Sequence, residues 1–193
     1  MALATSLMLA TFLSRTTVAA ETPSQIIQDA INHALEILRD PALQGAAKRP
    51  QRHAKLRALA DQVFDWQAMA QRCLGFYWRR ITPSQQAEFL KVFEGLLATY
   101  YLNQIDNFEG TEKIEMLGSR KTGSQVEVRT VLTTASHEHI PIDYFMEEEP
   151  AGWRVFDLSI EGVSLVANYR DRFSRFLVNR TFDELIQVLK AQQ

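Results

Sequence analysis

Val126-Glu127-Val128-Arg129-Thr130-Val131-Leu132-Thr133 and, one turn later, Ile140-Pro141-Ile142-Asp143-Tyr144-Phe145-Met146-Glu147 are the stretches that decide the fold. Val126, Val128, Thr130 and Leu132 form one alternating set, and Ile140, Ile142, Tyr144 and Met146 form another. The intervening positions carry Glu127, Arg129, Asp143 and Glu147. A period of two means strands with one packed face and one wetter face. Turn signals at 118–124 and 149–152 bound these runs, and Trp153 to Ile160 supplies the last strand. With the run that begins near Thr111, the spacing predicts four consecutive strands joined by short connections, an antiparallel meander.

On either side of the meander the period becomes helical. Thr22-Pro23-Ser24-Gln25 reads as a helix start, with a capping Thr, Pro in the first turn and a Gln that reaches back. Ile27, Ala30, Ile31, Ala34, Leu35 and Leu38 follow at helical spacing until Asp40-Pro41. A second helix is expected near Gln51 to Val63, and a third from an Asp65 cap to Gly75. Thr82-Pro83-Ser84-Gln85 repeats the first start signal and opens the longest helix, which carries Phe89, Leu90, Phe93, Leu96, Leu97, Tyr100 and Tyr101. Two further helices close the chain, the last opened by Thr181-Phe182-Asp183-Glu184. The fold class is therefore α+β, a four-stranded antiparallel sheet covered by amphipathic helices.

Composition excludes several classes. The chain has 193 residues, 46% hydrophobic and 23% charged, which is the ordinary globular range rather than a disordered or coiled-coil one. The net charge of -2 lacks the electrostatic footprint of a nucleic-acid binder. A single cysteine, Cys73, excludes an internal disulfide and any multi-cysteine metal site. The apolar segment Leu3 to Leu13, followed by Val18-Ala19-Ala20, reads as a secretory signal with cleavage before Glu21. No Lys or Arg precedes the segment, a departure from the usual pattern. Residues 1–20 are thus assigned as a signal peptide and 21–193 as one domain of an exported protein.

The residues that carry chemistry elsewhere are bland here. Gly118 to Ser124 imitates phosphate-loop spacing but lacks the lysine after its second glycine and joins two strands. His137-Glu138-His139 has no evident third ligand. Ser164 lacks the closing glycine of a nucleophile elbow, and Cys73 has no sequence-evident histidine partner. Catalytic residues, cofactor and metal are all read as none. Two features stand out instead. Lys48, Arg49, Arg52, His53, Lys55 and Arg57 concentrate positive charge, either as a docking patch for acidic surfaces or as the wet face of a helix. Aromatic residues cluster at Phe76-Tyr77-Trp78 and Tyr100-Tyr101.

Three segments, in order, turn the scale. They are Leu74-Gly75-Phe76-Tyr77-Trp78-Arg79-Arg80, Thr82-Pro83-Ser84-Gln85-Gln86-Ala87-Glu88-Phe89, and Trp153-Arg154-Val155-Phe156-Asp157-Leu158-Ser159-Ile160-Glu161-Gly162-Val163-Ser164-Leu165. With Tyr169-Arg170-Asp171-Arg172-Phe173 behind them, the chain from about Phe64 onward resembles the MlaC family, also called the toluene-tolerance auxiliary family. The resemblance implies a periplasmic, non-catalytic phospholipid carrier with a lipid-sized cavity between sheet and helices. It also implies exchange of lipid with an outer-membrane lipoprotein complex and with a ring-forming component of an inner-membrane ABC transporter. Polycyclic lipids such as hopanoids are the alternative cargo within the family, and an adaptor without bound lipid is the alternative outside it. A monomer is expected.

The physics of such a carrier needs no catalytic group. Exposing a diacyl lipid of about 30 methylenes costs on the order of 20 kcal/mol, at ~0.8 kcal/mol each. A soluble carrier offsets that cost with a dry cavity near the ~1,000 Å³ upper end of ligand pockets. Strand and helix facing nominate Phe93, Leu97 and Tyr100 from the long helix and Val128, Tyr144 and Phe156 from the sheet as lining residues. A one-residue register error would reverse every sheet assignment. Arg49, Arg52 and Lys55 are nominated for partner docking, because charge is disfavoured in an apolar cavity.

Overall fold

A computed structural model describes residues 21–193. The signal-peptide assignment, at residues 1–20, lies outside the described residues. Helix α1 (Pro23–Arg39) opens with the expected capping box: the Thr22 hydroxyl accepts the Gln25 N–H, and the Gln25 side chain accepts the Thr22 N–H. Two short 3-10 turns (Pro41–Leu43 and Ala46–Lys48) lead to α2 (Arg49–Val63). Asp65 then caps α3 (Trp66–Leu74) by accepting the Ala68 N–H at 2.8 Å. Gly75, at φ 52°, ends α3 and starts a 3-10 segment to Arg80. The Thr82–Gln85 box opens α4 (Pro83–Ile105), and the Thr181–Glu184 box opens α6 (Phe182–Lys190) after α5 (Leu165–Leu177). Each box satisfies N–H groups that a helix start leaves orphaned.

The sheet runs β1 (Lys113–Thr122), β2 (Gln125–Thr133), β3 (His139–Glu149), β4 (Gly152–Ile160) and β5 (Val163–Ser164), all antiparallel and in sequential order. The meander is as the period predicts, with one more strand. The fifth strand is a two-residue return that pairs Ser164 with Ser159 across a turn in which Glu161 and Gly162 have positive φ. So short a strand leaves no alternation to read.

Two cores hold the layers together. The larger joins α3, α4, α5 and α6 around Phe89, Phe93 and Phe173, whose rings meet at 5.6 Å (Phe89–Phe93) and 5.6 Å edge-on (Phe89–Phe173). The smaller packs Ile27 and Ile31 of α1 and Val63 of α2 against Val126, Val128, Met146 and Val155 of the sheet. Asp157 ties the sheet to the helical core. Its carboxylate accepts the Val166 N–H at 3.0 Å and the Ser164 hydroxyl, while Ser164 accepts the Ala167 N–H and so caps α5.

Candidate functional site: an apolar cavity between α1, α2, α4 and the sheet

Between the two cores the packing is left open. The cavity there measures about 340 Å³. Ile27, Ala30, Ile31 and Ala34 of α1 line one wall, and Leu56, Leu59, Ala60 and Val63 of α2 another. The third wall is Leu97, Ala98, Tyr101, Leu102 and Ile105 of α4, and the sheet closes the fourth with Ile114, Ile142, Tyr144, Leu158 and Ile160. Alanines at four facing helical positions are the reason for the space: a methyl group stands where a core would place a larger side chain. Among the described residues, the only charged ones on the lining are Arg57 and Glu94. The volume is near the lower end of the ~300–1,000 Å³ range of ligand pockets.

Leu97 and Tyr144 of the expected set line this cavity. Phe93, Tyr100, Val128 and Phe156 do not, each for a physical reason. Helix α4 has two faces in succession. Phe89, Val92, Phe93 and Leu96 enter the helical core without reaching the cavity, whereas 94, 97, 98, 101, 102 and 105 form a second stripe at helical spacing along it, with Leu97 shared by core and cavity. Phe93 therefore packs edge-on against Tyr169 at 5.5 Å, and Tyr100, one position off the stripe, is 55% exposed. Tyr101 takes the place expected of Tyr100, and burial pushes its hydroxyl up to about 12. Val128 is on the inner face but fully enclosed by the α1–sheet core. Phe156 is turned by a β-bulge: Phe145 pairs with Asp157 and Met146 with Val155, leaving Phe156 as the extra residue. Its ring carries the Arg72 guanidinium 4.3 Å from its centroid.

The basic stretch divides in a similar way. Arg52 is buried at the α2–α4 seam, where it donates to Asp106 and to the Leu43 carbonyl at 2.9 Å. Arg49 and His53 also reach Asp106, at 3.0 and 2.9 Å. Arg57 pairs with Glu94 at 2.9 Å, and Lys55 is exposed. Periodicity shows which positions share a face, but not that a carboxylate from another helix waits opposite. Cys73 is buried with its thiol against the Val166 carbonyl at 3.8 Å, and burial raises it far above the ordinary thiol range.

A family model described as MlaC protein matches residues 28–191. The chain belongs to the MlaC family. Among curated proteins, the toluene tolerance protein ttg2D of Pseudomonas putida is 22% identical over 159 residues, covering 82% of this chain and 74% of that one. Among solved structures, a phospholipid-binding protein of Ralstonia solanacearum in complex with a phospholipid is 26% identical, with a TM-score of 0.75. That match covers 88% of this chain and 95% of the other. No described helix of this MlaC-family chain is long and apolar enough to cross a membrane.

A second, polar cleft lies on the other side of α3, lined by Asp65, Arg72, Arg79, Glu147, Glu149 and Arg170. The oxygens of Asp65, Glu147 and Glu149 fall within 4.8 Å of one another. Two of them have a structural use: Asp65 caps α3, and Glu147 takes Arg72 at 2.8 Å on both oxygens. Glu149 is pushed up from 4.5 to about 7, first by its hydrogen bond with Asp65 and then by burial and the neighbouring carboxylates, against Arg154. The folded protein thus holds this proton more tightly than the unfolded chain does. That contribution to stability is fully present below the unfolded value of 4.5 and is lost as pH rises through about 7. The melting temperature should therefore fall on going from about pH 5 to about pH 8, and Glu149→Gln should flatten that part of the profile. A thermal melt series in matched buffers checks this.

Proposed function

We propose that this chain is a non-catalytic periplasmic phospholipid carrier, moving lipid between an outer-membrane lipoprotein complex and the ring-forming component of an inner-membrane ABC transporter. The observation that carries the reading is the apolar cavity between α1, α2, α4 and the sheet, in a chain of the MlaC family. A structural neighbour that holds a phospholipid supports it. In this reading the acyl tails enter along the α4 stripe and part the α1–α2 layer, and the headgroup remains at the opening. Of the nominated basic residues, Lys55 is exposed and Arg49 is half-exposed although it also reaches Asp106, so these two rather than the buried Arg52 would meet acidic partner surfaces. Ser164 caps a helix and Cys73 is enclosed, so neither is offered as a nucleophile.

Native mass spectrometry of the exported protein is the direct test. The expected spectrum shows a one-to-one adduct whose released mass is a glycerophospholipid. A protein that carries no lipid, or one whose adduct contains no phosphate, overturns the phospholipid reading. The first result favours an adaptor and the second a polycyclic cargo.

A further inference from the structure

We propose that the Arg57–Glu94–Asp61 cluster at the edge of the cavity is a headgroup site selective for zwitterionic lipids, those whose phosphate is followed by an ammonium, over anionic ones. The proposal rests on the carrier reading above and names the ligand class of that same cavity.

Among the described residues, Arg57 and Glu94 are the only charged ones on an otherwise apolar lining. Their side chains are 31% and 24% exposed, which places them where the cavity meets solvent and where a lipid changes from tails to headgroup. They stand on opposite walls, α2 and α4, joined by one short contact from Arg57 Nη2 to Glu94 Oε2 at 2.9 Å. The remaining contacts of the guanidinium are long: 3.4 Å from Nη1 to the Glu94 carbonyl and 3.4 Å from Nε to Asp61. A guanidinium offers five N–H donors in a planar fork and a carboxylate about four acceptor sites, so both partners have capacity beyond their mutual bond. Burial raises the Glu94 carboxyl, with Asp61 adding to the rise and Arg57 opposing it. A cation brought beside Glu94 opposes that rise in the same sense as Arg57 does.

The sign of the cluster sets the preference. One guanidinium faces two carboxylates, so the site is net negative before any ligand arrives. A phosphate on Arg57 alone would add charge of the wrong sign beside Glu94 and Asp61. A phosphate followed by an ammonium supplies both partners: the phosphate takes the open edge of the Arg57 fork and the ammonium donates to Glu94 or Asp61. An uncharged glycerol in place of the ammonium leaves the repulsion unrelieved.

The test loads the lipid-stripped full-length mature protein from vesicles containing equal amounts of phosphatidylethanolamine and phosphatidylglycerol, then measures both lipids in the recovered protein. The wild type is expected to enrich phosphatidylethanolamine about five-fold over the donor ratio, the scale of one half-exposed charge contact. Glu94→Gln and, independently, the more exposed Asp61→Asn should each return the ratio toward that of the donor. Glu88→Gln, on the same helix but paired with Lys190 at 2.7 Å away from the cavity lining, should keep the wild-type ratio. Asp61→Asn keeps the test decisive if Glu94→Gln fails to fold. Bound lipid at the donor ratio, or an enrichment that survives both substitutions, overturns the headgroup site and leaves the carrier reading standing. A wild-type protein that recovers neither lipid brings down both the headgroup site and the carrier reading.

Discussion

Ala98→Trp is expected to abolish lipid loading while leaving a folded protein. Ala98 lies on the cavity stripe of α4, opposite the α2 wall, and its methyl group borders the 340 Å³ space. An indole there fills volume that acyl tails would use, and the open space accommodates it at less than the ~1–3 kcal/mol that overpacking a closed core costs. Retained lipid, measured by extraction and mass spectrometry, should fall by more than about tenfold, since every displaced methylene forfeits ~0.8 kcal/mol of burial. Ala30→Trp on the α1 wall should act in the same direction from the other side. Val128→Trp should behave differently. Val128 is fully buried among Ile27, Met146 and Val155, so a larger ring there lowers the melting temperature first and affects lipid only through the fold. Wild-type lipid content in both folded alanine variants would remove this cavity as the binding site.

The contrast between Ala98 and Val128 marks where sequence reading stops. The meander was legible because a period of two survives in any one strand. The helix starts were legible because a capping box is local chemistry, as at Thr22, Thr82 and Thr181. Tyr144 faces the cavity and Phe156 does not, because one extra residue in β4 shifts the alternation and nothing local announces it. On α4, Leu97 and Phe93 both enter the helical core, yet only Leu97 also borders the cavity, and the neighbouring helices decide which does. Empty space itself has no residue signature. Ala30, Ala34, Ala60 and Ala98 are good helix formers wherever they occur, and only their convergence from three helices makes a void. The segments that carry the family resemblance likewise turn out to be scaffold: Asp157 and Ser164 join sheet to helix, and Gly75 closes α3.

Asp106→Ala is expected to destabilise the protein by about 3–5 kcal/mol, the range for removing one partner of a buried ion pair. The argument begins with two helix ends of the wrong sign. Helix α2 starts with Arg49 and Arg52 and has no acidic residue in its first turn, so cations sit at the positive end of its dipole. Helix α4 ends on Asp106, an anion at the negative end of its own. Neither arrangement is favourable alone. Brought together, Arg49, Arg52 and His53 surround one carboxylate that is 10% exposed, and each unfavourable end neutralises the other. Burial alone would raise the Asp106 carboxyl, but the hydrogen bonds from His53 and Arg52 and the nearby positive charge outweigh it and hold the group below its ordinary value. Its stabilising effect is present above the unfolded value of 3.8 and is lost as pH falls through the lower folded one. Removing the carboxylate strands Arg52, which is itself buried, at the seam between two cavity walls. Chemical denaturation of Asp106→Ala measures the loss. The double variant Arg52→Met with Asp106→Leu should recover much of it, because an apolar pair of similar volume replaces the charges. A loss under about 1 kcal/mol for the single variant would mean that solvent already shares the cluster and that the α2–α4 seam is held by packing instead.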